Sequence, residues 1–99
     1  LLHAGAQVVV QGFYGAGGNT WKVPIMASHI RARAAESGCY MVAANVSGPL
    51  QIVQSMIIDP LGLVVAQANP DLEQTLVADL ALGRVAESTI RRDYLTRYR

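Results

Sequence analysis

The sequence predicts an α/β domain built on a mixed sheet. Three observations point there. Short β-branched runs alternate with a helical pattern, a turn signature joins two further runs, and the apolar share is high for so little charge. Of the 99 residues, 52 % are hydrophobic and 15 % charged, against about 25 % charged in a typical soluble domain. A small domain has much surface to cover. A charge-poor chain of this length is therefore expected to bury part of its surface against something else, either a partner subunit or the rest of a larger domain.

Ala6-Gln-Val-Val-Val-Gln11 lies between Gly5 and Gly12 and reads as a buried strand. Gly12-Phe-Tyr-Gly-Ala-Gly-Gly18 is too glycine-rich for regular structure and reads as the loop after it. Asn19 and Thr20 suit a helix N-cap and Pro24 its first turn. Trp21, Ile25, Ile30 and Ala34 are assigned to one helical side, and Gly38 is the expected stop. Cys39 to Asn45 is the next strand. Ser47-Gly48-Pro49 breaks the chain. Asp59-Pro60-Leu61-Gly62 has the preferences of a type I turn, so Gln54–Ile58 and Leu63–Ala68 are predicted as a hairpin. Asn69-Pro70-Asp71 is a further turn, Thr75 to Asp79 a further strand, and Arg84 to Tyr94 a polar helix. Leu1-Leu2-His3-Ala4-Gly5 reads as the last turn of a helix with a glycine stop, which predicts that residues 1–99 are a fragment.

Bulk properties exclude several function classes. The net charge of +1 gives no electrostatic case for nucleic acid or an anionic membrane. The single cysteine rules out an internal disulfide and a Cys-rich zinc site, and it fits a reducing compartment. No apolar run approaches the roughly 20 residues that span a bilayer. The expected setting is the cytoplasm.

Residue chemistry gives no complete active site. The glycine-rich loop stands where a phosphate cradle would, between strand and helix. It carries neither G-x-G-x-x-G nor G-K-[ST], so a nucleotide-binding domain is a minor alternative. Phe13 and Tyr14 are still candidates to line a pocket, because loops at the carboxyl ends of strands collect ligand contacts. Cys39, with His29 upstream, invites a nucleophile reading. It stands, however, at the amino end of its strand, and a free cysteine is among the residues most often buried. A structural role is the favoured reading. Arg33 and Glu36 are read as a helix-surface pair at i, i+3.

The order of segments resembles the carbon–nitrogen hydrolases, the nitrilase superfamily. The likeness begins with Gly5-Ala6-Gln-Val-Val-Val, the helix ending Arg31-Ala-Arg-Ala-Ala-Glu-Ser, and Cys39-Tyr-Met-Val-Ala-Ala-Asn45. Gln54-Ser-Met-Ile-Ile-Asp-Pro-Leu-Gly-Leu-Val-Val-Ala66 is similar to that family's S-x-I-x-D-P-x-G-x-V-x-A hairpin, and Leu76-Val-Ala-Asp-Leu80 continues the match. The resemblance implies an αββα sandwich of which residues 1–99 form the C-terminal part. It implies hydrolysis of amide, N-carbamoyl or nitrile substrates by a Cys-Glu-Lys triad, with no metal or organic cofactor. It also implies a homo-oligomer whose remaining partners are the small-molecule substrate and the N-terminal half of the domain. The matched motifs place the nucleophile upstream of Leu1, so no catalytic residue is expected within the chain, and neither Lys22 nor Glu36 takes a triad role. Phe13, Tyr14 and Asn45 are the expected substrate-side residues. A non-catalytic scaffold of the same fold is the alternative.

Overall fold

The computed structural model describes residues 5–12, 23–45, 54–69 and 74–88, together with Arg92 and Thr96. Strand β1 (Val8–Gly12) leads through helix α1 (Val23–Ser37) to β2 (Tyr40–Ala44). Then come β3 (Met56–Ile58), β4 (Val64–Gln67) and a short helix α2 (Gly83–Glu87). The strands form one sheet in the order β1-β2-β3-β4. β1 and β2 are parallel, with Val9 beside Met41 and Gly12 beside Ala44. β2–β3 and β3–β4 are antiparallel. This is the predicted α/β class with a mixed sheet. The β1–α1–β2 unit is the crossover that a parallel pair requires, and the two antiparallel pairs follow by direct return.

Helix α1 covers one face of the sheet. Ile30 and Ala34 are buried against Met41, Ala43, Met56 and Ile58, and Val9, Met26 and Ala27 pack against that cluster. The stripe is therefore 26, 27, 30 and 34, which keeps Ile30 and Ala34 of the predicted set and drops Ile25. Ile25 is 56 % exposed, because five residues from Ile30 is about 140° around a helix of 3.6 residues per turn. Trp21 lies outside the described residues. Gly38 ends the helix as predicted. It adopts φ +63°, and its N–H donates to Ala34 O at 2.9 Å, the left-handed stop that glycine takes without a Cβ penalty. The Ser37 hydroxyl donates back to Arg33 O at 2.8 Å.

The hairpin forms where expected. The Asp59 N–H donates to Leu63 O and the Gly62 N–H to Asp59 O, both at 2.9 Å, and Gly62 has φ +86°. Pro60, Leu61 and Gly62 are thus a three-residue loop whose last residue takes the left-handed bulge position. The side chain of Asp59, a buried residue, accepts the N–H of Leu61 at 2.9 Å and of Leu63 at 3.0 Å. Its other oxygen takes Arg84 Nη1 at 3.2 Å. Composition marked Asp59 as a turn residue, and the fold also makes it the tie to α2.

Two predicted elements differ from the structure. Residues 75–79 form no strand, since no described backbone pairs with 74–80. Leu76, Ala78 and Leu80 are half-buried while Val77 is 86 % exposed. The period-2 pattern reports one covered side, which a strand and an unpaired segment can share. The predicted helix over 84–94 breaks at Ser88, whose ψ of 114° is extended. Arg92 N–H then donates to Ser88 O at 3.1 Å. Serine is a residue type that favours helix boundaries over interiors.

The far face of the sheet is only partly covered. Near the amino end of β2, the Tyr40 hydroxyl meets the backbone of Ala81. Toward the carboxyl ends of the parallel strands Val42 is half-buried and Val10 is 72 % exposed.

Candidate functional site

In an open α/β sheet, ligands bind beyond the carboxyl ends of the parallel strands. Here that rim begins where β1 ends at Gly12 and β2 ends at Ala44, the two being register partners. Asn45, the one predicted substrate-side residue among those described, is the next residue and is half-buried. Phe13 and Tyr14 lie outside the described residues.

The Ser55 side chain holds the backbone of Asn45. Its N–H donates to Ser55 Oγ at 2.7 Å, and Ser55 Oγ donates to Asn45 O at 3.1 Å. The carbonyl of Ser55 in turn accepts the Ala68 N–H at 2.9 Å. Beside it Gln67 Nε2 donates to Gln54 Oε1, and the Asn69 N–H donates to Gln74 Oε1 at 2.7 Å. This rim thus presents side-chain amides and a hydroxyl, groups that donate and accept without ionising in the ordinary pH range. They can bind and orient a neutral polar substrate. They supply neither a nucleophile nor a general base.

Cys39 stands at the opposite end of the sheet. It is 1 % exposed, immediately before β2, with Sγ donating to Ala6 O at 3.2 Å. A catalytic thiol needs exposure and an electropositive or basic neighbour. The burial of Cys39 agrees with the structural role read from the sequence. His29 is exposed on α1 and makes no pair with it.

A cavity of about 470 Å³ lies between α1 and β1, lined among others by Gln11, Met26, His29, Arg33, Ser37 and Met41. Residues 29, 33 and 37 recur every four positions, so they share the flank of α1 that overhangs β1. Sequence reasoning missed this hollow. Arg33 lines it and forms no ion pair with Glu36 among the described residues. β1 has no described neighbour on its outer side, so the cavity follows the open edge of a parallel strand. Parallel strands are normally enclosed. No cluster of three or more metal-ligating side chains occurs among the described residues, and no helix among them is long and apolar enough to cross a membrane.

The model of the carbon-nitrogen hydrolase family matches residues 3–89. The deaminated glutathione amidase of Escherichia coli O157:H7 is 40 % identical over 58 residues, which is 59 % of this chain and 22 % of that protein. Among solved structures, the Nitfhit protein of C. elegans superposes with a TM-score of 0.74 at 27 % identity, covering 99 % of this chain and 24 % of its own. A mutant amidase from Nesterenkonia sp. AN1 in complex with butyramide gives 0.63 at 28 % identity, covering 97 % and 36 %. The chain spans less than a third of the length of the curated relatives it matches. With the family model spanning most of the sequence and the mixed sheet superposing on these structures, the chain belongs to the carbon-nitrogen hydrolase family, in the nitrilase superfamily.

Proposed function

We propose that the protein containing this chain hydrolyses non-peptide C–N bonds in amide, N-carbamoyl or nitrile substrates, and that residues 1–99 supply one wall of its site without the catalytic triad. The observation that carries the reading is the family match over residues 3–89 combined with a sole cysteine that is buried at the wrong end of the sheet. The family resemblance supplies a Cys-Glu-Lys triad, here placed N-terminal to Leu1. The thiolate adds to the substrate carbon while a lysine stabilises the negative charge that develops on oxygen. For an amide the C–N bond then breaks, the amine leaves with a proton from the glutamic acid, and a thioester remains; a carbamoyl substrate leaves a thiocarbamate in the same way. Water, deprotonated by the same glutamate, attacks the thioester and frees the acid and the thiolate.

In this reading the rest of the domain covers the open edge of β1, the cavity beside it and the bare face at Val10. Gly12 and Asn45 then face the nucleophile, with Phe13 and Tyr14 as further substrate-side residues. A homo-oligomer and a cytoplasmic setting belong to the same proposal, the latter because a single reduced cysteine fits it. The test is to assay the complete protein and residues 1–99 separately on simple amides, N-carbamoyl amino acids and nitriles. Turnover by the complete protein alone supports the proposal. Turnover by residues 1–99, abolished by Cys39→Ser, overturns it. A complete protein that binds partners of its own fold but turns over none of these probes favours the scaffold alternative.

A further inference from the structure

Ser55 occupies a junction between three strands. The β2–β3 register pairs Ala43 with Met56. Extending it by two residues would set Asn45 opposite Gln54, where backbone would ordinarily bond to backbone. Instead the Ser55 hydroxyl bonds both backbone groups of Asn45, accepting from its N–H at 2.7 Å and donating to its carbonyl at 3.1 Å. The backbone of Ser55 meanwhile continues the ladder to the other side, accepting Ala68 N–H at 2.9 Å. A side chain thus replaces a ladder step at the point where β2 ends.

A hydroxyl that bonds both the donor and the acceptor of one residue restrains the plane of both adjoining peptides. It thereby restrains the direction in which the Asn45 side chain leaves the backbone. We infer that Ser55 is a positioning residue for the substrate: it touches no reacting atom, and it fixes Asn45 at the rim so that the Asn45 amide meets the substrate in one orientation. The inference rests on the proposed hydrolase reading, in which this rim faces the substrate.

The test uses the complete protein with Ser55→Thr and Ser55→Val. Both add the same bulk, and only threonine keeps the hydroxyl. Ser55→Ala serves as the hydroxyl-free variant if valine prevents folding. KM and kcat are measured on a short aliphatic amide such as butyramide, beside the melting temperature of each variant. The expected result is a KM roughly fivefold to tenfold higher in Ser55→Val or Ser55→Ala than in Ser55→Thr, about what one lost hydrogen bond of substrate positioning costs. Turnover number should change by less than about twofold, because uniform binding is what is lost. Equal KM values across these variants, with an active wild type, overturn the role of Ser55 alone, even if the melting temperatures differ. A wild type inactive on amide, N-carbamoyl and nitrile probes overturns the hydrolase reading and this inference with it.

Discussion

Arg31 and Gly62 are locked to each other from both sides. The Nε–H of Arg31 donates to the Gly62 carbonyl at 2.8 Å. A Cβ built on Gly62 would stand 3.0 Å from the carbonyl oxygen of Arg31 and 3.3 Å from Ala35 Cβ. The hairpin turn is thereby seated on the flank of α1. Gly62→Ala meets two penalties at once, a left-handed φ and a contact with rigid helix backbone. It should destabilise the protein by about 2–3 kcal/mol, read from denaturant unfolding. Gly62→Asn tolerates positive φ but keeps the Cβ, so it should recover only part of the loss. An alanine variant as stable as wild type would contradict this seating.

Asp59 and Arg84 form an unequal pair. The side chain of Asp59 is 5 % exposed and that of Arg84 55 %. Asp59→Ala removes the acceptor of the Leu61 and Leu63 N–H groups and should cost about 2–4 kcal/mol. Arg84→Ala leaves both N–H bonds in place and removes a largely solvated cation, so its cost should stay below about 1 kcal/mol. Unfolding curves of the two variants check the ranking, and equal losses would show that the ion pair, not the turn, dominates.

Tyr40 tests the clasp at the amino end of β2. Its buried hydroxyl donates to Ala81 O at 3.2 Å and accepts from Ala81 N–H at 3.1 Å. Tyr40→Phe should cost about 1–2 kcal/mol. It should also speed amide hydrogen exchange at Ala81 more than at Met41 or Ala43, which the sheet still protects. Unchanged exchange at Ala81 would mean that the hydroxyl does not hold that segment.

Cys39→Ala should leave amide hydrolysis by the complete protein within about threefold of wild type, because a buried thiol at the amino end of β2 lies away from the rim. In the folded state Cys39 should also resist alkylation by iodoacetamide until denaturant is added. Loss of activity by more than about a hundredfold in a variant that still folds would reassign it to catalysis.

Residues 1–99 in isolation should self-associate. Val10, Leu63, Val65 and Val77 are exposed aliphatics, and both β1 and β4 are edge strands in the described sheet. Such surfaces seek partners. A monodisperse monomer in size-exclusion chromatography with one sharp calorimetric transition would count against this.

What the sequence made legible was local. Asp59-Pro60-Leu61-Gly62 carries its turn in its own residue types, and Gly38 stops α1 for a reason contained in one residue. Cys39 could be set at the buried start of a strand because a helix stop directly precedes it. The far-reaching features were not legible. Which flank of α1 faces the sheet depends on packing against Met41 and Ile58, so Ile25 was misassigned and the hollow beside His29 and Arg33 went unseen. The Ser55–Asn45 bonds join residues ten apart through a register that only the folded sheet defines. That Asn45 closes the run beginning at Cys39 could be read from the sequence, but the hydroxyl that holds its backbone could not.

The mixed sheet also sets an order of assembly. The β3–β4 pair closes over three residues, and hairpins form in about 1–10 μs. The β1–β2 pair cannot close until the whole connection containing α1 has been gathered, and such long-range pairings pay their loop entropy before contacts repay it. The Asp-Pro-Leu-Gly hairpin is thus expected to nucleate, offering Met56 and Ile58 as a template on which β2 and then β1 are laid. In mutational folding kinetics, changes at Asp59 and Gly62 should slow refolding, while changes at Val9 should mainly speed unfolding.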